Sequence, residues 1–187
     1  LNLRDVAVTV DDDDLPGLII TQLETDPVTN TILPTQDFES VVLEGGFKDG
    51  YQVRLNQAPA ANETVTLTLI TDGQVTLDKT QLTFDSNNWN TFQTVKITAA
   101  DDALEENVLT SRITHRFSSA MSGAGTAVFA GTPDASLDVE VYDNDTAGVI
   151  VRETAGGTKV IREAGSVDSY YLILTKQPSG DVTVGIQ

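Results

Sequence analysis

The carboxylates of this chain are gathered rather than scattered. Asp11 to Asp14 follow the run ending at Val10, Asp101-Asp102 and Glu105-Glu106 follow Ile97 to Ala100, and Asp143 and Asp145 follow Val141. Glu44 and Glu163 stand apart, each beside small residues, in Glu44-Gly45-Gly46 and Glu163-Ala164-Gly165. Along an extended strand, neighbouring side chains point to opposite faces. Where a strand ends and the chain bends, successive carboxylates and a backbone carbonyl can converge on one point. Convergent oxygens are what a hard cation needs, about six to eight of them for the larger ions. Without a cation the gathering is costly. Two like charges about 4 Å apart repel by about 1 kcal/mol in water and by several-fold more near a protein surface. Any one run also reads as a solvated turn, and the acidity as a solubility device. Recurrence of the runs at equivalent places in two copies favours binding.

The remaining composition removes other chemistries. The 187 residues carry 28 Asp and Glu against 11 Lys and Arg, a formal net charge of -17. Such a chain lacks the basic footprint that a nucleic acid requires, and an anionic membrane surface is disfavoured for the same reason. There is no cysteine and one histidine, His115, so disulfides, thiolate sites and clustered-histidine zinc sites are excluded. No apolar run has the length of a membrane span, so no membrane insertion is expected of this segment. No nucleophile-elbow motif accompanies His115, and Gly123-Ala124-Gly125 lacks the lysine and hydroxyl of a phosphate loop. The chain is expected not to be an enzyme.

The elements that must position the acids are strands. Thr64-Val65-Thr66-Leu67-Thr68-Leu69, Val95-Lys96-Ile97-Thr98, Val6-Ala7-Val8-Thr9-Val10 and Leu137-Asp138-Val139-Glu140-Val141 alternate aliphatic with polar or small residues. Period two with Thr and Val enrichment marks strands with one wet face. Turn signals recur at short intervals, among them Pro16-Gly17, Gly45-Gly46, Asp49-Gly50, Asp72-Gly73 and Gly156-Gly157. The pattern predicts an all-β, two-layer antiparallel β-sandwich. Val65, Leu67, Leu69, Val95, Ile97, Val139 and Val141 are its expected core. Trp89, Tyr51, Tyr170 and Tyr171 read as packing residues rather than ligand contacts.

The chain also repeats itself. Val6 to Val10, Asp12-Asp13-Asp14 and Gly17-Leu18-Ile19-Ile20 return as Leu137 to Val141, Asp143-Asn144-Asp145 and Gly148-Val149-Ile150-Val151, 131 residues later. Tyr51 to Leu55 and Pro59 return as Tyr170 to Leu174 and Pro178, 119 residues later. The 12-residue difference fits an elaborated loop or hairpin around residues 24–36 of the first copy. The expected organisation is a tandem array. Residues 1–16 are the last strand of one repeat, 17–147 a complete domain, and 148–187 the first strands of the next, with the chain a fragment of a longer product.

Leu82-Thr83-Phe84, Asn88-Trp89-Asn90, Thr94 to Thr98, Asp101-Asp102 and Asp143-Asn144-Asp145-Thr146-Ala147-Gly148, in that order, resemble the Calx-β domains. These are repeats of sodium–calcium exchangers, some integrin subunits and large bacterial surface proteins. The resemblance implies a seven-stranded, immunoglobulin-like sandwich with Ca2+ in the loops at one end. It implies as metal ligands Glu44, the central pair Asp101 and Asp102, the following acid Glu106, and the terminal Asp143, Asn144 and Asp145. Asp12, Asp13 and Asp14 would serve a preceding repeat, and Glu163 the following one. Asn144 stands where the family carries a charge, though its amide oxygen can still ligate. Gln74-Val75 stands where exchanger-type domains have Asp-Tyr.

The function so implied is a calcium-binding spacer or adhesion repeat of an extracellular or cell-surface protein. Its partners would be neighbouring repeats, with another surface protein or a glycan beyond them. Two other classes compete: a calcium-sensing regulatory domain of a membrane protein, and a noncatalytic carbohydrate-binding module of a large secreted enzyme. The last predicts exposed aromatic residues on one face, for which one Trp and four Tyr offer little.

Overall fold

The computed structural model describes residues 15–154 and 169–186. Every regular element among them is a strand: β1 (Leu18–Asp26), β2 (Thr31–Gln36), β3 (Val41–Leu43), β4 (Asp49–Leu55), β5 (Glu63–Ile70), β6 (Val75–Leu77), β7 (Gln81–Phe84), β8 (Gln93–Ala99), β9 (Leu109–Met121), β10 (Ala135–Tyr142), β11 (Val149–Glu153) and β12 (Tyr170–Leu174). Ten of them form two five-stranded sheets, in the orders β2-β1-β4-β8-β6 and β3-β10-β9-β5-β7. All neighbours are antiparallel except β3 and β10, which run parallel, so the sandwich is mixed at that edge. Three strands exceed the implied seven. β2 is made by the hairpin insertion, and β3 and β6 are three-residue segments on sheet edges.

The alternation of each strand decides its burial. In β5, Val65, Leu67 and Leu69 are buried, while the threonines between them face outward or lie half-buried. Val95 and Ile97 of β8 and Val139 and Val141 of β10 point into the same core. Tyr51, Val53, Leu55, Phe84, Ile113 and Phe129 fill it, and Trp89 packs on its rim. Tyr51 and His115 cross the core edge-to-face, with Tyr51 Oη 3.0 Å from His115 Nε2. Burial lowers the His115 pKa to about 4 and raises that of the Tyr51 phenol. Both are therefore neutral at pH 7, and His115 is a core residue. The elaborated segment at residues 24–36 is a hairpin. Asp26 Oδ1 accepts the amides of Val28 and Thr29 at 2.8 and 2.9 Å, and Asn30 closes the turn at φ 54°.

β11 and β12 reproduce the register of β1 and β4 pair for pair from Leu18 to Gln22. Leu18 pairs with Leu55 and Gln22 with Tyr51; Val149 pairs with Leu174 and Glu153 with Tyr170, the same register under the two sequence offsets. The amide of Asn56 bonds the Gly17 carbonyl at 3.2 Å, and that of Thr175 the Gly148 carbonyl at 3.1 Å. The Asn56 side chain reaches the Leu15 carbonyl and the Thr175 side chain the Thr146 carbonyl, both at 2.7 Å. Val149, Val151, Tyr170 and Leu172 match the inward positions Leu18, Ile20, Tyr51 and Val53. Tyr170 and Tyr171, expected in a core, are exposed by 42% and 38%. The reason is that β11 and β12 form a two-stranded sheet to which no further strand is joined among the described residues. Ile150 lies outside the main core, in a second cluster with Val41, Leu43 and Phe47.

Candidate metal centre

Three chain segments meet at one end of the sandwich: the turn after β3, the loop from β8 to β9, and the chain leaving β10. The turn is fixed by the bond from the Gly46 amide to the Leu43 carbonyl at 3.1 Å, with Gly45 at φ 60°. A Cβ on Gly45 would stand 2.7 Å from Asn144 Nδ2 and 3.2 Å from Asp101 Oδ1. Glycine is needed there both for the backbone angle and for the close approach.

Of the expected ligands, Glu44, Asp101, Asp102, Glu106, Asp143, Asn144 and Asp145 all come to this end. Glu44 is 3% exposed, and its Oε2 is buried without a hydrogen-bond partner. Burial raises its pKa, the Asp102 amide opposes that rise, and the charges of Asp102, Asp143 and Glu106 add to it. Asp145 Oδ2 is a second buried oxygen without a partner. Asp143 differs. It accepts the amides of Glu106 at 2.7 Å and Asp145 at 2.6 Å, and the Thr146 hydroxyl at 2.7 Å. Burial alone would raise its pKa, but these bonds outweigh burial and lower it. Asp143 ties the β8–β9 loop to the chain leaving β10. Asp102 Oδ1 accepts the Leu104 amide at 2.7 Å, which shapes the same loop.

Asn144 carries its nitrogen into the site. Nδ2 donates to Asp101 Oδ1 at 2.8 Å and to the Glu44 carbonyl at 3.0 Å. The amide oxygen was the expected ligand; the N–H groups instead bridge two acceptors, as a cation would. In keeping with this arrangement, no three acidic or histidine side chains among the described residues are gathered tightly enough to hold a metal ion as they stand. The donor set still fits a hard cation: all its side-chain acceptors are oxygens, and two of them are buried and unsatisfied. Asp12, Asp13, Asp14 and Glu163 lie outside the described residues. Sequence reasoning missed Thr146, whose hydroxyl joins Asp143, and Lys176, whose Nζ donates to the Asp145 carbonyl at 2.6 Å. Neither stands in an acidic run, so no acid-based pattern marks them.

Compared with known proteins, the chain matches no family model and no curated protein sequence.

Proposed function

We propose that this chain is a noncatalytic, calcium-binding structural repeat of an extracellular multidomain protein, of the Calx-β type. The carrying observation is Glu44, buried at 3% exposure with an oxygen that has no partner, among the negative charges of Asp102, Asp143 and Glu106. A buried carboxylate oxygen left unpaired costs about 1–3 kcal/mol or more. Ca2+ held by Glu44, Asp101, Asp102, Glu106, Asp143 and Asp145 would satisfy it and cancel the repulsion. The matching registers of β1–β4 and β11–β12 support the array reading. Residues 17–147 form one unit in it and residues from 148 begin the next. The ion would stiffen the end of one unit where the next begins.

Thermal melting with millimolar calcium, magnesium or chelator tests this reading. Calcium at about 100-fold excess over its dissociation constant should add about 2.7 kcal/mol of stability. Magnesium should add little, since it demands a tighter octahedral shell and gives up water reluctantly. Asp102→Asn keeps an oxygen for the Leu104 amide but removes a charge, and should weaken calcium binding. Asn144→Asp replaces the bridging donor with a carboxylate, so it should destabilise the metal-free protein and strengthen calcium binding. Melting curves that coincide in all three conditions, with no calorimetric binding heat, would refute the proposal.

A further inference from the structure

A second contact of β11 flanks the turn that carries Glu44, where the Leu43 amide bonds the Phe47 carbonyl at 2.9 Å. Ile150 of β11, 2% exposed, packs with Val41 and Leu43 of β3 and with Phe47. Two residues on, Arg152 is 3% exposed. Its Nη2 donates to Asp37 Oδ2 at 2.8 Å and stands 3.8 Å from Asp49 Oδ2. Nη1 lies 3.8 Å from Glu39 Oε2, and the guanidinium sits 5.3 Å from the centre of the Phe47 ring. The receiving groups are themselves held in place. Asp49 accepts the Thr25 hydroxyl at 2.9 Å, the Val41 amide at 2.9 Å and the Gly50 amide at 2.8 Å. The Asp37 carboxylate accepts the Phe38 amide at 2.7 Å.

An apolar slot beside two buried carboxylates and a ring face matches an isoleucine followed two residues later by an arginine. Arginine fits such a place better than lysine, because its planar fork stacks on a ring while donating to carboxylates. The equivalent positions of β1 are Ile19 and Thr21, so β1 lacks the charged half of this pattern.

We propose that Asp37, Asp49, Phe47, Val41 and Leu43 form a docking socket for an Ile-x-Arg strand, which sets the β11–β12 unit at one angle on the sandwich independently of any metal. The socket takes the strand that leads out of β10; β1, the equivalent strand at the head of this unit, carries Thr21 where β11 carries Arg152 and would enter its own joint without the charged contact. The joint after β10 would therefore be held at one angle by a contact that the equivalent joint before β1 lacks.

The chain has no cysteine, so Gln81→Cys and Ser179→Cys place two unique spin labels on exposed positions of the sandwich and of the segment after β12. The labelled full chain should give one narrow distance distribution, in calcium and in chelator alike. Removing one partner of a buried ion pair should shift the docking equilibrium by on the order of a hundred-fold. Arg152→Gln should therefore raise thermolysin cleavage of the segment between β10 and β11 by about that factor, since cleavage follows the open population. The double variant Ile150→Ser with Arg152→Gln should broaden the distance distribution as well. Neither residue belongs to the main core, so Trp89 emission should stay that of the folded sandwich. A distribution already broad in the parent chain, or unchanged cleavage and width in the variants, overturns the socket. If calcium leaves the melting curve unmoved while these variants undock, the metal reading fails and the socket stands.

Discussion

Glu63→Ala should lower the unfolding free energy by about 4 kcal/mol, on the order of 12 °C in melting temperature. Glu63 is 1% exposed and opens β5 at the inward phase of its alternation. One carboxylate oxygen accepts the Ser119 hydroxyl at 2.6 Å and the Phe129 amide at 2.8 Å. The other accepts the Ala60 and Val128 amides at 2.9 and 2.8 Å. Alanine would leave three amides without their acceptor and open a void beside Phe129. The loop that carries Val128 and Phe129 is held to the core by these bonds, so Phe129 should loosen with it. Glu63→Gln should cost less, about 2 kcal/mol. Its single oxygen can keep Ser119 and Phe129, while its NH2 group would face two amide donors.

The pH dependence of Glu63 has a definite sign. Burial alone would raise its pKa, but the bonds from Ser119, Ala60, Phe129 and Val128 outweigh burial and lower it below 4.5. The folded state thus binds this proton less tightly than the unfolded chain. Its stabilisation is present above the ordinary glutamate range and is lost as pH falls through the lowered value. Acid unfolding followed by far-ultraviolet circular dichroism should show the wild-type advantage over Glu63→Gln shrinking below about pH 4.5. A constant difference across that range would mean that the charge of Glu63 is not what the amides require.

Period two carried most of the fold. The Val65-Leu67-Leu69, Val95-Ile97 and Val139-Val141 sets all face the core, because a sheet with one buried face leaves little choice of register. The 131- and 119-residue offsets reappear as matched strand pairs, because the same residues ask for the same ladder. What escaped were charged residues at inward phase. Asp49 precedes Tyr51, Val53 and Leu55 by steps of two, and Glu63 precedes Val65, Leu67 and Leu69 likewise. Alternation scored on apolar residues passes over an acid in the same phase, although that phase is the signal that it is buried. Arg152 was invisible for another reason. Its partners Asp37 and Asp49 are more than a hundred residues distant, and no local period reports such pairing. At the carboxylate-rich end, the acidic runs indicated which residues would gather. They could not indicate that Asn144 turns its N–H groups inward, since that choice belongs to the neighbouring acceptors Asp101 and Glu44.

Asp49 should behave in the opposite sense to Glu63. Burial is the largest influence on it and raises its pKa from 3.8 to about 6, against the opposing pull of Arg152 and of the bonds from Val41, Gly50 and Thr25. Arg152 is closer to Asp37, at 2.8 Å, than to Asp49, at 3.8 Å, so one guanidinium serves two buried acids. A group whose folded pKa is raised binds its proton more tightly in the folded state. Its contribution is therefore fully present below the unfolded value and is lost as pH rises through the folded one. For Asp49 that window runs from about pH 4 to about pH 6, and the loss across it amounts to about 3 kcal/mol. Asp49→Asn cannot take up the proton, so the variant should lack this slope. Urea midpoints measured between pH 4 and pH 7.5 should show the wild type losing stability relative to Asp49→Asn as pH rises, with the change levelling off above about pH 6.5. Below about pH 4.5 the Glu63 effect takes over with the reverse sign, so the wild type should be most stable in mild acid. Curves for wild type and Asp49→Asn that run parallel across the window would show that Arg152 keeps Asp49 ionised throughout.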